Sequence, residues 1–178
     1  EIVLSLNAEI KIQKYLESKH LIDHEEFKAD LKYLQEKYPD SVLAERQHLL
    51  LGYSALEVGD GASALQEFQN FQKKYKNSSQ HERIELVIAE SYMLLRKPDD
   101  AIAIYQELEK SGEDKNLAVE AAYRLGDVYF TNKNYKKAAE EYERVLKKYP
   151  EHAKVFPNAY YNLSECSFWL GKYKQSLD

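Results

Sequence analysis

Apolar residues along this chain recur in steps of three and four. From Val119 to Pro150, Leu125 and Tyr129 mark one face, and Tyr135, Ala138, Tyr142 and Val145 mark a second before the chain closes on Tyr149-Pro150. Such spacing predicts two successive helices, each with one apolar side. Asn134, between the two runs, is placed to cap the second helix, and Pro150 to stop it.

The same marks return along the chain. Counting back 37 residues brings Leu51-Gly52, Gly59, Ala64, Phe68, Phe71 and Tyr75 into register, and the stretch between supplies Ile88-Ala89, Tyr92, Ala101, Tyr105 and Leu108. Counting forward 38 residues gives Leu163-Ser164, Phe168, Gly171, Tyr173 and Ser176, where the chain stops inside a second helix. Near the start, Tyr38-Pro39, Phe27, Leu31 and Leu34 fit the second half of a unit, with Asp23 and Glu26 as a capping box and Pro39 as a stop. The first half of that unit starts near Ala8 and departs from the pattern, with Lys14 and Tyr15 where the others carry an aliphatic residue followed by a small one. The repeats run over 8–44, 45–81, 82–118, 119–156 and a truncated 157–178, which we treat as a single domain and a fragment of a longer repeat protein.

In each unit the small residues, Gly126 and Ala138, let two helix axes approach, and Tyr129 and Tyr142 fill the space beside them. One unit leaves an apolar side that only its neighbour buries, so stability accrues between neighbours.

Composition agrees with helices. Six Gly and four Pro in 178 residues leave little turn material for a many-stranded fold, and 44% hydrophobic with 31% charged residues describes a folded chain. A net charge of −5 opposes binding to a phosphate backbone, so no nucleic acid is expected. No apolar run reaches the roughly 20 residues of a membrane span. One cysteine, Cys166, excludes an internal disulfide and reads as a core residue.

Small residues at the eighth and twentieth positions, aromatics at the eleventh and twenty-fourth, and a late Pro resemble the tetratricopeptide repeat. The resemblance covers residues 8–178 and implies an all-α fold, a right-handed α-solenoid of stacked antiparallel helix pairs whose first helices line a concave side. Its units exceed the family's usual spacing of ~34 residues, the excess falling in KNSSQHE, SGEDKN and EHAKVF after each second helix. This long spacing is similar to that of bacterial cell-envelope members, including the Tol-Pal coupling factor and the lipoprotein of the outer-membrane β-barrel assembly machine. Periplasm or envelope is the location so implied, with the cytoplasm as the alternative.

The resemblance also implies groove positions at the second, fifth, ninth and twelfth residues of each first helix. They hold Arg46, Leu49 and Tyr53; Arg83 and Glu90; Tyr123, Asp127 and Phe130; and Tyr161 and Glu165. The basic clamp with which some family members grip a carboxylate tail is absent. Large apolar groups among carboxylates suit another protein's peptide or helix carrying apolar anchors and a Lys or Arg. Tyr123 and Tyr53 are the favoured contacts, whereas Leu86, Met93 and Phe168 are as fit to pack against the next unit.

Catalysis finds no foothold. His20 and His24 sit four apart, as metal ligands on a helix do, but they straddle the predicted turn LIDHEEF. The acidic pairs Asp99-Asp100 and Glu140-Glu141 fall where helix starts or solvent faces are expected. We expect a protein-interaction scaffold with no enzymatic activity, cofactor or metal. The alternatives are a self-associating homo-oligomer, and a regulatory domain whose active partner lies outside this chain.

Overall fold

The computed structural model describes residues 2–18, 21–41 and 43–171. His20, Tyr173, Ser176 and the side chain of Asp23 lie outside it. Among the described residues there are helices and no strands: α1 (Ile2–Ser18), α2 (Leu21–Lys37), α3 (Ala44–Glu57), α4 (Gly61–Lys74), α5 (His81–Leu94), α6 (Pro98–Ser111), α7 (Lys115–Thr131), α8 (Tyr135–Lys148) and α9 (Asn158–Trp169), with a short 3-10 turn at Pro150–His152. Consecutive helices pack as pairs in the all-α manner of a tetratricopeptide-like solenoid. The chain divides into two units, Glu1–Ser78 and Ser79–Asp178.

In the first unit, α1, α2 and α3 close over Ala8, Tyr15, Phe27, Leu31, Leu34 and Leu51. Tyr15, the residue that breaks the sequence pattern, is nevertheless core: its ring meets those of His24 at 5.2 Å and Phe27 at 5.7 Å. The aromatic fills space that a small residue leaves elsewhere. α1 begins at Ile2, earlier than Ala8, because nothing in Ile2–Asn7 breaks a helix. In the second unit, Leu86, Ala101, Tyr105 and Leu125 form one part of the core, and Ala138, Tyr142, Val145 and Cys166 another.

At two glycines an aromatic ring from the next helix stands where a side chain would be. A Cβ at Gly52 would lie 2.5 Å from Phe68 Cε1, and one at Gly126 would lie 2.6 Å from Tyr142 Cε1. Either is far inside contact distance, so an aromatic ring occupies the place of the missing side chain.

The turns that follow α3, α5, α7 and α9 are built alike. Gly59, Arg96, Lys133 and Gly171 all take left-handed backbone, with φ of 76°, 57°, 59° and 75°. In the first three turns the next N–H reaches back five residues, Asp60 to Ala55 at 2.8 Å and both Lys97 to Tyr92 and Asn134 to Tyr129 at 2.9 Å, which satisfies a carbonyl at the helix end. Asp60 and Asn134 then accept from the backbone N–H groups of Ser63 and Lys137. Pro98 opens α6, where a missing N–H costs nothing.

The linkers between pairs are tied down by the first helix of the pair they leave. Ser78 donates to Glu45 of α3. One register later, the N–H groups of Glu113 and Asp114 donate to Glu82 of α5. After α8, the linker lays Phe156 on Tyr123 of α7 with ring centroids 4.4 Å apart.

Candidate partner-binding surface

The first helices of the second unit, α5, α7 and α9, bring most of the expected groove residues together. Their side chains form a polar lattice. Arg83 faces Glu120 at 3.7 Å, and Arg124 bridges Glu90 at 3.3 Å and Glu120 at 3.5 Å. Asp127 accepts from the Tyr142 hydroxyl at 2.6 Å and from Asn162 Nδ2 at 3.3 Å, while Asn162 also donates to the Tyr142 oxygen at 2.9 Å. Tyr161, exposed, donates to Glu165 at 2.9 Å. Phe130 is half-buried with its ring edge on Tyr135.

Four carboxylates, Glu90, Glu120, Asp127 and Glu165, share this face with two guanidiniums, Arg83 and Arg124. Burial pushes the Glu90 and Asp127 carboxyls above the ordinary carboxylate range, against the opposing pull of Arg124 on the first and of the Tyr142 hydrogen bond on the second. Desolvation therefore outweighs what the protein itself supplies to hold these charges.

Tyr123 requires a correction. It is 1% exposed, its hydroxyl donates to the Tyr149 carbonyl at 3.2 Å, and Phe156 stacks on its ring, so it belongs to the core and not to an accessible groove. The cause is the linker after α8, which folds back over it. Leu86, at the same position of α5, is also buried at 2% exposure, whereas Tyr161 at that position of α9 is open. Phe168 is exposed as well.

Sequence reasoning missed Arg124 and Asn162. Arg124 had a legible signal, since Glu120 lies four residues before it on the same helix face. Asn162 had none, because its bonds to Asp127 and Tyr142 join three helices.

In the first unit, Arg46 pairs with Glu9 at 3.2 Å, Leu49 is half-buried, and Tyr53 is exposed, its ring set T-shaped against Phe68 with centroids 5.3 Å apart. Among the described residues no three His, Cys, Asp or Glu side chains gather as a metal set. The Nδ1 of His24 faces the Glu25 carboxylate at 3.3 Å. Cys166 is buried and its thiol is pushed up to about 11 by desolvation, which suppresses the thiolate a nucleophile needs. No helix among the described residues is long and apolar enough to cross a membrane.

Solved structures share this architecture. A putative kinesin light chain from Podosopora anserina with nearly identical TPR-like repeats superposes with a TM-score of 0.72 at 13% identity, over 98% of this chain and 89% of that one. MamA superposes at 0.65 with 18% identity, over 92% and 86%. The type IV pilus biogenesis factor PilW superposes at 0.67 with 14% identity, over 99% and 74%. Identities this low establish the fold alone. No curated protein matches the sequence significantly. The sequence model of the tetratricopeptide repeat matches residues 49–116 and 86–153, more than half of the chain. The chain belongs to the tetratricopeptide repeat family.

Proposed function

We propose that this chain captures a segment of another protein, helical or extended, that carries apolar anchors and a Lys or Arg, on the α5–α7–α9 face of its second unit. Tetratricopeptide repeat proteins generally serve as protein-interaction scaffolds, and their fold is typically non-catalytic. The observation that carries the finer reading is the half-buried, under-compensated pair Glu90 and Asp127, flanked by Phe130 and the open ring of Tyr161. Rigid aromatic groups beside carboxylates favour a segment with both chemistries. The long repeat spacing supports placing such a scaffold in a bacterial cell-envelope assembly.

The test is titration of amphipathic peptides, matched in apolar residues and differing in Lys content, against the wild type and Asp127→Asn with Tyr161→Ala. Binding that rises with Lys content, falls with added salt and weakens about tenfold in the double variant is expected. Equal affinity for neutral and basic peptides would sink the reading.

Self-association is a second reading, favoured by the exposed row Ile2, Leu6 and Ile10 along α1. Light scattering separates the two, since only self-association makes the mass rise with protein concentration.

A further inference from the structure

A cavity of about 70 Å³ in the first unit lies between α2, α3 and α4, away from the face described above. On the same scale one water needs about 10–15 Å³, so this space takes a larger guest. Its α2 wall is His24, Lys28 and Lys32, and its opposite wall includes Ser54, Ser63, Gln66 and Glu67.

Positions 24, 28 and 32 are successive turns of one helix face, so the fold lines three nitrogen-bearing side chains along one side of the space. Two ammonium groups four residues apart repel unless an anion sits between them. His24 is 2% exposed, and its Nε2 has no partner among the described residues. With Nδ1 facing the Glu25 carboxylate, Nε2 is the ring's open hydrogen-bonding position. A buried imidazole nitrogen left in that state calls for a ligand.

Each acid nearby already has a partner. Glu67 faces His48 Nδ1 at 3.1 Å, and Asp60 accepts the Ser63 N–H at 3.0 Å. Glu25 lies 3.5 Å from Lys28 but is largely exposed. The Ser54 hydroxyl donates to the Leu51 carbonyl and the Ser63 hydroxyl to the Asp60 carboxylate, which leaves the Gln66 amide as the neutral donor on the far wall.

We propose that this cavity binds a phosphate group, either inorganic phosphate or the phosphate monoester of a phosphorylated side chain. Lys28 and Lys32 supply charge-assisted donors to its oxygens. The Gln66 amide closes the opposite side, and a protonated phosphate oxygen donates to His24 Nε2. Sulfate, which has the same shape and carries no O–H near neutral pH, is the discriminating control.

The experiment is titration of the whole chain with sodium phosphate at constant ionic strength, followed by calorimetry and by amide NMR shifts. Saturable binding is expected, with shifts gathered at Lys28, Lys32 and Ser63, tighter for phosphate than for sulfate. Lys28→Gln and Lys32→Gln, both surface changes that leave the core intact, should each weaken it about tenfold. Lys73→Gln, outside the cavity, should leave it unchanged. A phosphoserine peptide and its unphosphorylated twin form the second arm. Saturation by the free ion alone assigns the site to inorganic phosphate, and binding of only the phosphorylated twin assigns it to the ester. Shifts that never saturate, or that persist equally in Lys28→Gln, overturn the proposal.

Discussion

Gln47 shows how much one side chain can hold against the repeat that surrounds it. It is 2% exposed, and neither its Oε1 nor its Nε2 has a partner among the described residues. Ile84 and Ala121, at the same place in the next two repeats, are fully buried apolar residues. The Ser5 hydroxyl, also buried and unpartnered, lines the same space of about 10 Å³, room for a single water. Gln47→Leu removes a desolvated amide from a position the fold treats as core. It should raise stability by about 1–3 kcal/mol, read as a higher urea midpoint with an unchanged slope; a lower midpoint would show that the amide is better satisfied than this. Tyr123 teaches the complementary lesson about legibility. Its place in the repeat was readable from the spacing, but its exposure depended on Phe156, 33 residues further on, and no periodicity reports where a linker side chain lands.

Between elements, the tie from α8 to α6 is the most developed. Arg144 grips Glu109 with two nitrogens at 2.7 and 2.8 Å, and Lys148 adds a third contact at 3.0 Å. Burial alone would push the Glu109 carboxyl up, and the hydrogen bonds from Arg144 and Lys148 reverse this and hold it below the ordinary range. A depressed folded pKa means the stabilisation is complete above the usual glutamate range and fades as pH falls through the folded value. Glu109→Gln should therefore cost about 1 kcal/mol at neutral pH, with the gap from wild type closing in acid. Denaturation of both proteins at several pH values checks this, and a gap that does not depend on pH would assign the loss to packing. At this scale the sequence was most readable. The second helices end before Pro39 and Pro150, Asn134 caps α8, and Asp99 and Asp100 sit in the first turn of α6. These signals are local, so reading them needs no knowledge of the neighbours.

Over the whole molecule, the all-α solenoid followed from helix pairs repeated at a fixed interval, with one small residue facing one ring in α3–α4 and again in α7–α8. The face left open did not follow, because it depends on ion pairs and linkers that cross several elements. A solenoid gains stability from neighbour to neighbour, so damage to one repeat should stay close to where it is made. Gly52→Ala drives a methyl group against the Phe68 ring and should cost about 1–3 kcal/mol. Hydrogen exchange should then quicken in α3 and α4 well before α7 and α8 respond. Equal acceleration in every helix would instead mark a single cooperative block.

The carboxylates of Glu45 and Glu82, one register apart, each fasten the strap of chain leaving their own repeat, and Tyr123 does the same with its ring. The residues beyond the family's customary length are thus cladding, each stretch pinned to the first helix of its own repeat. Trimming these repeats to the shorter family length would unroof them.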